Sequence, residues 1–419
     1  MSTQVGAGKR IVVIGAGIVG ATAGLVLQRQ GGFAVTLVDK GEPGMECSYG
    51  NGGAISPDFC VPASLPGMLR RVPRWFADPL GPLVVRWRRL PAAAPWLVRW
   101  IRAGDESRVN AASVALRKLH ATCLTRYDEL LGAHAAGLIE KTGQIYVWQS
   151  DRASPTEALA RALREKQGVV TQALDAAQIR ALDPDLAPGF SRGLFFPDNG
   201  HTVNPLRLVQ TIVQLFVAAG GKVERRNVTG FERAGESVKS VRCADGVDVA
   251  ADAVVVAAGI RSGKFAKALG DSVALEAERG YHVMLPDPRV RPKIKISNRD
   301  RMFGLTPMEH GVRISGTVEF AHPDAPMDER RAQILLTNAK RMYPGLNGEG
   351  AKFWMGSRPS TPDSLPVVGR ASRAHNVVYA FGHGHTGLTG APMTADLVAA
   401  MLTGGTPPID PSPYRVGRF

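Results

Sequence analysis

Short apolar runs that end in glycine or in a polar residue recur along the chain and predict buried parallel strands. Residues 10–14 form the first run, residues 18–30 have the pattern of a helix closed by two glycines, and residues 34–38 form a second run. Two similar runs, residues 252–256 and 377–381, lie far downstream. These separated strands predict one nucleotide-binding domain assembled from distant segments, with right-handed strand–helix–strand crossovers.

The rest of the chain predicts further helices and a second group of strands. Alternating polar and apolar positions predict strands within residues 222–249 and 273–320. Residues 57–95 are rich in proline, arginine and tryptophan and have little clear periodicity. The predicted fold class is therefore α/β, with a second domain of α+β type inserted in two pieces. The predicted helices cover residues 107–131, 155–167, 205–219, 327–341 and 386–402.

The length and composition of the chain exclude several classes of protein. Its 419 residues allow two or three domains of usual size, and its 44% of hydrophobic residues exclude wholesale disorder. The four cysteines lie far apart, which argues against a zinc site, a redox dithiol and a disulfide framework. No signal-peptide pattern and no run of about 18 apolar residues occurs. The sequence thus predicts a cytoplasmic protein.

The first predicted helix opens on a glycine-rich turn that suits a dinucleotide. Gly15 permits a tight turn directly after the first strand, Gly17 lets the backbone approach a pyrophosphate, and Gly20 lets the helix pack close to the sheet. The helix N-terminus offers unpaired N–H groups and positive partial charge to phosphates. Asp39 ends the next strand, where its carboxylate can bind a ribose diol and would repel a 2′-phosphate, so NADP is disfavoured. The motif does not distinguish NAD from FAD.

Further motifs decide between the two cofactors. Residues 48–53 (SYGNGG) form a glycine-rich loop, and residues 254–259 (VVVAAG) end a strand in Ala-Gly. Residues 356–369 (GSRPSTPDSLPVVG) are followed by the loop 382–387 (GHGHTG). Together these segments resemble the motifs of D-amino-acid oxidase-type FAD-dependent oxidoreductases. Within that family they are most similar to bacterial D-amino-acid dehydrogenases, including those that act on hydroxy-D-proline.

The resemblance implies a division of the chain into two domains. A Rossmann-type FAD-binding domain is expected to be built from the discontinuous segments 1–60, 190–270 and 355–419. A substrate domain with a mixed sheet is expected to use residues 61–189 and 271–354. The predicted architecture is thus a dinucleotide-binding domain that is interrupted twice by the substrate domain.

The glycine motif and the resemblance together predict the cofactor site. The three glycines of the C-terminal loop precede a helix, whose positive end would stabilise negative charge on a reduced flavin. Some relatives attach FAD through a cysteine near the C-terminal motif or a histidine in the early loop. Neither residue occurs at those places here, so we expect non-covalent FAD. The predicted cofactor-binding residues are Gly15, Gly17, Ile18, Val19, Gly20, Asp39, Lys40, Ser48, Asn51, Gly52, Gly53, Ala258, Gly259, Gly382, Gly384, His385, Thr386, Gly387, Leu388 and Thr389.

Three residues are predicted to act on the substrate: Arg358, Tyr281 and His383. A planar guanidinium can hold a carboxylate with two parallel hydrogen bonds, and the resemblance implies that Arg358 holds the substrate carboxylate. Tyr281 matches an aromatic position near the substrate, with a core tyrosine as the alternative. His383 either lines the site or satisfies backbone groups. Glu319 is expected to brace the substrate sheet rather than to take part in the chemistry.

The expected reaction needs little from the protein beyond orientation and a dry site. No catalytic triad, carboxylate pair or metal-ligand cluster is recognisable in the sequence, and amine oxidation by hydride transfer needs none. The resemblance implies oxidative deamination of a small D-amino acid, with D-proline or hydroxy-D-proline as candidate types, and electron transfer to a quinone or another acceptor. The imino acid would hydrolyse to a 2-oxo acid. Alternatives are an oxygen-using oxidase of sarcosine or glycine type, the flavin subunit of a larger amine dehydrogenase complex, and a non-enzymatic FAD-containing protein.

Half of the net charge of +14 lies in one segment. Residues 68–104 contain eight arginines, one carboxylate and four of the six tryptophans. They match no nucleic-acid-binding motif, so no nucleic-acid partner is predicted. Tryptophan favours the membrane interface and arginine is attracted to anionic headgroups, and the resemblance implies a peripheral enzyme on the inner face of the cell membrane. The alternative is helical packing in the substrate domain with a solvated basic face.

Overall fold

The computed structural model of the protein describes residues 8–67, 78, 80–322 and 324–419. Its helices are α1 Ile18–Gln30, α2 Leu90–Ala103, α3 Glu106–His120, α4 Cys123–Leu131, α5 Pro155–Lys166, α6 Ala176–Leu182, α7 Pro205–Ala218, α8 Ser262–Ala268, α9 Glu329–Met342 and α10 Gly387–Thr403. Its strands are β1 Lys9–Ile14, β2 Phe33–Asp39, β3 Ala54–Ile55, β4 Leu83–Val85, β5 Ile139–Glu140, β6 Gln144–Trp148, β7 Gln172–Asp175, β8 Arg192–Phe196, β9 Gly200–Thr202, β10 Lys222–Arg225, β11 Val228–Ala234, β12 Ser237–Cys243, β13 Asp248–Ala250, β14 Ala253–Val256, β15 Glu276–Leu285, β16 Lys295–Asn298, β17 Phe303–Met308, β18 Gly311–Phe320, β19 Lys352–Ser360, β20 Val367–Arg370 and β21 Val377–Phe381.

The predicted apolar runs form a six-stranded sheet in the order β10–β2–β1–β14–β21–β20. The first five strands pair in parallel, and β20 is an antiparallel edge. β14 and β21 are buried along their whole length, as expected for a sheet that is covered on both faces. Helices α1 and α10 pack against each other on one side of this sheet. The Rossmann-type architecture predicted from separated segments is therefore confirmed.

A mixed sheet of nine strands forms the second large sheet of the protein. Its order is β19–β15–β18–β17–β16–β6–β8–β7, with β4 beside β18. Helix α9 covers one face through Leu335 and Ala339, which pack on Val283 and Ile314. The opposite face is turned towards the first sheet. Two small sheets, β11–β12–β13 and β3–β9–β5, complete the pairing among the described residues.

The proposed division into domains stays a prediction. Strand β8 lies inside the segment 190–270 that was expected to belong to the FAD-binding domain, and β19 crosses the expected boundary at residue 355. Both strands pair within the nine-stranded sheet. Hydrophobic pattern alone does not decide which of two sheets a strand joins.

One predicted helix is in fact two. The segment 107–131 was expected to be continuous, but α3 ends at His120 and α4 begins at Cys123. The break falls at Thr122, a β-branched residue of weak helix propensity. Apolar residues continue on both sides of the break, so the pattern alone did not indicate it. Conversely, α6 was not predicted, because it spans only seven residues.

The described part of the tryptophan- and arginine-rich segment contains a helix that its sequence did not predict. Helix α2 has a proline in its first turn, where the missing N–H costs nothing, and a second proline inside. Trp96 and Trp100 are buried, stack with their centroids 6.3 Å apart and pack near Phe320. The packing interpretation is therefore correct for these two rings, whereas Trp87 is 72% exposed. Four other residues of the segment, Arg70, Arg71, Arg74 and Trp75, lie outside the described residues.

Two arginines of this segment fasten it to the nine-stranded sheet. Arg86 forms ion pairs of 2.6 Å with both Glu319 and Asp328, and Arg89 forms one of 2.8 Å with Glu276. Across the described part of the chain, we find no helix that is both long and apolar enough to cross a membrane.

Candidate functional site

A cavity of about 960 Å³ lies where the parallel strands of the first sheet end and the open face of the second sheet begins. Its walls include the turn after β1, the ends of β2 and β14, the loop before α10, and parts of β15, β18 and β19. Ligand sites in open α/β sheets lie at these carboxyl ends of strands. Ligand pockets usually measure about 300–1,000 Å³, so this cavity has room for a large cofactor together with a small substrate.

The turn after β1 needs glycine for two separate reasons. Gly15 has φ +105°, and a Cβ there would lie 2.5 Å from the carbonyl oxygen of Ala257. At Gly20 a Cβ would lie 1.9 Å from the carbonyl oxygen of Gly15, so α1 can approach the sheet only without a side chain. Gly15 lines the cavity, whereas Gly20 does not. The turn therefore brings backbone, and not side chains, to the cavity beside the N-terminus of α1.

The carboxylate of Asp39 is held at the edge of the cavity by backbone donors. One oxygen accepts a hydrogen bond from the amide of Ala16 at 2.7 Å, and the other accepts one from Gly41 at 3.0 Å. Each oxygen retains a further lone pair, and the residue lines the cavity beside Lys40. The arrangement suits a ribose diol, and binding of a ribose by Asp39 stays a prediction.

The loop 48–53 is tied to both sheets. The Ser48 hydroxyl accepts a hydrogen bond from the amide of Ile18 at 3.0 Å, at the N-terminus of α1. On the other side, the Thr306 hydroxyl donates to the carbonyl of Gly52 at 2.7 Å, and Arg313 donates to the carbonyl of Asn51 at 2.7 Å. The loop therefore bridges the dinucleotide turn and the open face of the second sheet.

The C-terminal loop 382–387 meets the cavity directly before α10. The amide of Gly384 donates to the carbonyl of Pro359 at 2.9 Å, which fixes the loop against β19. His383 is buried, and its Nε2 lies 2.8 Å from the hydroxyl of Thr394. Burial, with a smaller contribution from His120, lowers the pKa of His383 to about 3. This ring is therefore neutral at physiological pH, and it lines the cavity, while its role there stays a prediction.

Most of the predicted cofactor residues meet at this one cavity. Gly20, Gly53, Thr386 and Thr389 do not line it. Thr389 instead accepts a hydrogen bond from the amide of Ser56 at 3.2 Å. The residues that do line the cavity fit FAD, because they combine a side-chain-free turn at a helix N-terminus with an acidic residue and a second helix N-terminus. They are Gly15, Gly17, Ile18, Val19, Asp39, Lys40, Ser48, Asn51, Gly52, Ala258, Gly259, Gly382, Gly384, His385, Gly387 and Leu388.

A cysteine that the sequence did not single out also lines the cavity. The Cys47 thiol donates to the carbonyl of Ser357 at 2.9 Å. Desolvation raises the pKa of Cys47 to about 11, although the charge of Arg358 opposes this. Because the thiolate is the nucleophilic form, the residue is poorly suited to form a covalent bond to a cofactor. Non-covalent binding of FAD stays a prediction.

Arg358 presents its guanidinium to the cavity from β19. The group lies over Gly280 of the neighbouring strand, where a Cβ would be 2.0 Å from Cζ. Among the described residues, its one hydrogen bond runs from Nη1 to the carbonyl of Thr317 at 3.1 Å. Desolvation lowers the pKa of Arg358 from its ordinary value, while the charge of Glu278 opposes the change. The guanidinium stays charged and has donors left for an anion.

Thr317 has a backbone conformation that is unusual for its residue type. Its φ is +56°, and it lies where the pairing of β15 with β18 shifts register between Arg279 and Tyr281. This β-bulge carries the carbonyl that accepts the hydrogen bond from Arg358. The Thr317 hydroxyl is buried without a hydrogen-bond partner among the described residues. The bulge thus orients the backbone towards the guanidinium.

The hydroxyl of Tyr281 is engaged within the cavity wall. It donates to Glu319 at 2.6 Å, and the same carboxylate accepts from Arg86 at 2.6 Å and lies 3.4 Å from Arg279. Burial, followed by the hydrogen bond and charge of Glu319, raises the pKa of Tyr281 to about 12. The ring lines the cavity, but its hydroxyl bonds to Glu319 within the wall. This agrees with the alternative prediction of a core tyrosine. Glu319 thus joins β18, β15 and the segment directly after β4, which is consistent with the bracing role predicted for it.

Three residues beside Arg358 escaped the sequence analysis as functional positions: Gly280, Thr317 and Glu278. An isolated glycine within a strand is a known sign of close backbone approach, so Gly280 carried a usable signal. The positive φ of Thr317 has no sequence signal, because threonine rarely adopts it. The relation of Glu278 to Arg358 depends on strand pairing across 80 positions of the chain.

A buried lysine on the cavity wall makes a pH-dependent contribution to stability. Desolvation lowers the pKa of Lys295 from the ordinary 10.5 to about 8, and its only hydrogen bond among the described residues is 3.4 Å long, to Thr306. The unfolded chain therefore binds this proton more tightly than the folded protein does. The contribution of Lys295 to stability is lowest below pH 8 and rises as the pH increases from 8 towards 10.5.

Lys295→Met is therefore expected to raise the free energy of unfolding at pH 7 by up to about 3 kcal/mol. The gain should shrink at pH 10, where the lysine is already neutral in the folded state. Urea unfolding of both proteins at the two pH values measures the difference. A loss of stability at pH 7 would contradict the prediction and would indicate an anionic partner for the lysine.

The chain is similar over its whole length to flavin-dependent enzymes. Residues 10–401 match the sequence profile of a family described as FAD dependent oxidoreductase. The D-amino-acid oxidase of Bradyrhizobium diazoefficiens is 38% identical, over 98% of this chain and 99% of that protein. The D-amino acid dehydrogenase of Granulibacter bethesdensis is 26% identical over the same shares.

Solved structures share the fold at lower identity. Glycine oxidase from Geobacillus kaustophilus superposes with a TM-score of 0.73 at 19% identity, covering 98% of this chain and 99% of that one. L-proline dehydrogenase from P. horikoshii gives 0.72 at 20% identity, covering 98% and 97%. At these identities the likeness establishes a common fold over nearly the whole chain.

Proposed function

Because the chain belongs to the family of FAD-dependent oxidoreductases, we propose that it oxidises the carbon next to the amino group of a small D-amino acid. The protein is an FAD-dependent enzyme that acts on amino-acid-type substrates. The D-configuration and the small size of the substrate are parts of the proposal, with D-proline or hydroxy-D-proline as candidate types. The imino acid product would hydrolyse to a 2-oxo acid.

One observation carries this proposal. The guanidinium of Arg358 lies in the wall of the cavity that also contains the dinucleotide turn, and it retains free donors there. Two parallel, charge-assisted hydrogen bonds from a guanidinium are the usual way to fix a carboxylate in one orientation. A carboxylate held in this way fixes the position of the carbon and the amine attached to it.

The protein's own part in the reaction is binding and exclusion of water. Bound FAD supplies the acceptor for the hydride. The residues proposed to hold FAD are those of the turn after β1, Asp39, the loop 48–53 and the loop 382–387. The hydroxyl of buried Tyr281 donates to Glu319, and Nε2 of buried His383 is bonded to Thr394, so these two groups are engaged by the wall of the cavity.

An anaerobic screen tests the proposal directly. The purified yellow enzyme is mixed with single D- and L-amino acids, and flavin absorbance is followed in a stopped-flow instrument. Bleaching by a small D-amino acid, with the matching 2-oxo acid found afterwards, is the expected result. Bleaching by L-amino acids alone, or by none of them, would overturn the proposed substrate class.

The electron acceptor is proposed to be a quinone or a similar carrier. Oxygen is the second candidate acceptor, because the relative that is named an oxidase is 38% identical to this chain. The relative that is named a dehydrogenase is 26% identical. Oxygen uptake with substrate alone, accompanied by peroxide, would favour the oxidase. Turnover that depends on an added quinone or dye would favour the dehydrogenase.

We further propose that the outer face of α2 contacts an anionic membrane surface. Trp87 is exposed with Arg88 above its ring, and Val98, Arg99 and Arg102 are exposed along the same helix region. Exposed apolar and basic groups suit anionic lipid headgroups. Flotation with liposomes that contain phosphatidylglycerol should carry the protein upwards, and neutral liposomes should not. No flotation with either would refute the contact.

A further inference from the structure

A buried glutamate faces the proposed carboxylate anchor. Glu278 of β15 and Arg358 of β19 are directly paired in the antiparallel register, so their side chains leave the sheet on the same face. Residues paired in this way have Cβ atoms about 4.5–5.5 Å apart, and opposite charges at such positions attract each other. An ion pair between the two side chains is the default expectation. It would neutralise the guanidinium and occupy the donors that a substrate needs.

The structure has a different pairing. The Glu278 carboxylate bonds to Nε2 of His385 at 2.8 Å, and within the described part of the chain no ion pair joins it to Arg358. Glu278 is 7% exposed, so water does little to screen its charge. Among the described residues, Arg358 keeps a single hydrogen bond, to the backbone carbonyl of Thr317.

The loop that carries His385 is fixed beside the anchor. The amide of Gly384 donates to the carbonyl of Pro359, and His383 forms a β-bridge with Ser360. These two contacts hold the loop that carries His385 against the end of β19, the strand on which Arg358 lies. Loop and strand together set the distance between His385 and Glu278.

We propose that His385 acts as a positioning residue that withholds Glu278 from Arg358 and so keeps the guanidinium available to the substrate carboxylate. The inference rests on the proposed function, because it takes Arg358 as the carboxylate anchor. Burial alone would raise the pKa of Glu278. The hydrogen bond and charge of His385, together with the charge of Arg358, outweigh this effect and lower the pKa, so the carboxylate is ionised at neutral pH. Without the imidazole, a buried anion would remain next to a buried cation, and the two would pair.

Binding of a carboxylate that lacks an amine tests this proposal. Propanoate is titrated into the oxidised holoenzyme, and the dissociation constant is read from the change in flavin absorbance. In H385A the affinity for propanoate should fall by about tenfold or more, the effect of losing at least one charge-assisted hydrogen bond. In the double variant H385A/E278Q the affinity should return to within about threefold of the original protein, because a neutral amide lacks the negative charge that would hold the guanidinium.

The single variants separate this role from a merely structural one. E278Q alone should bind propanoate at least as tightly as the unaltered enzyme, and H385Q, whose amide can still reach Glu278, should bind nearly as well. If H385A and the double variant bind equally weakly, or if H385A binds normally, the proposal is wrong. H385N, alone and with E278Q, repeats the comparison if alanine at this position weakens retention of FAD.

Arg358→Met in the same titration distinguishes this proposal from the proposed function. If R358M binds propanoate as well as the unaltered enzyme, Arg358 is not the anchor and the proposed function fails. If R358M loses binding but the double variant shows no rescue, only the role of His385 fails.

Discussion

Replacing Arg358 with methionine is expected to lower kcat/KM for every amino-acid substrate by about 10²- to 10⁴-fold while FAD remains bound. The variant loses one or two charge-assisted hydrogen bonds to the substrate carboxylate, each worth about 1.5–3 kcal/mol. Methionine fills much of the same volume, and within the described part of the chain the arginine makes a single hydrogen bond, to the Thr317 carbonyl. The substitution should therefore impair catalysis rather than stability.

Anaerobic flavin reduction measured over a range of substrate concentrations checks this expectation. R358K is the informative companion, since an ammonium keeps the charge but cannot make two parallel bonds, and it should recover only part of the activity. Unchanged FAD content and melting temperature in both variants are the controls. Near-normal kcat/KM in R358M would contradict the assignment of the anchor.

Gly280→Ala is expected to reproduce most of this loss without altering the arginine. The new methyl group would lie 2.0 Å from Cζ of Arg358 and 2.1 Å from its Nη2. Nothing can stay at that distance, and the guanidinium, as the end of a flexible side chain, must move. Gly280 lies in a strand and has no positive φ, so its backbone accepts alanine. We expect kcat/KM to fall by about 10²- to 10³-fold, because displacing a binding group by about 1 Å has effects of this order.

The matched control is Gly230→Ala. Gly230 is also a strand glycine, but a methyl group there would meet no described atom within 4 Å. Its activity should be unchanged, and both variants should unfold at similar urea concentrations. Full activity in G280A would show that the position of the guanidinium is not critical.

The cofactor half of the site was accessible from the sequence because its constraints are local. The turn of Gly15 and Gly20, the helix that follows and Asp39 fall within about 30 residues of each other, so their spacing alone predicts a dinucleotide site. Arg358 was predicted as a substrate-binding residue because it lies in a motif of adjacent residues that resembles the family's; its role stays a prediction. For the dinucleotide turn, the relevant neighbours in space are also close together along the chain.

The surroundings of the anchor were not accessible in this way. The hydrogen bond of Arg358 to Thr317 spans 41 positions, and that of His385 to Glu278 spans 107. Both depend on strand register and on a bulge, which hydrophobic pattern does not specify. Helix α2 was missed for another reason, because its prolines conceal a helix that tolerates one of them in its first turn.

Thr317 connects the stability of this protein with its activity. A β-branched residue with positive φ is strained, and conformations of this kind cost of order 1–3 kcal/mol. The strained backbone of Thr317 therefore lowers the free energy of unfolding, at the residue whose carbonyl accepts the hydrogen bond from Arg358. Substitutions that relieve this strain would raise the free energy of unfolding and lower the activity. Selection for thermostability alone would therefore work against substrate binding at this position.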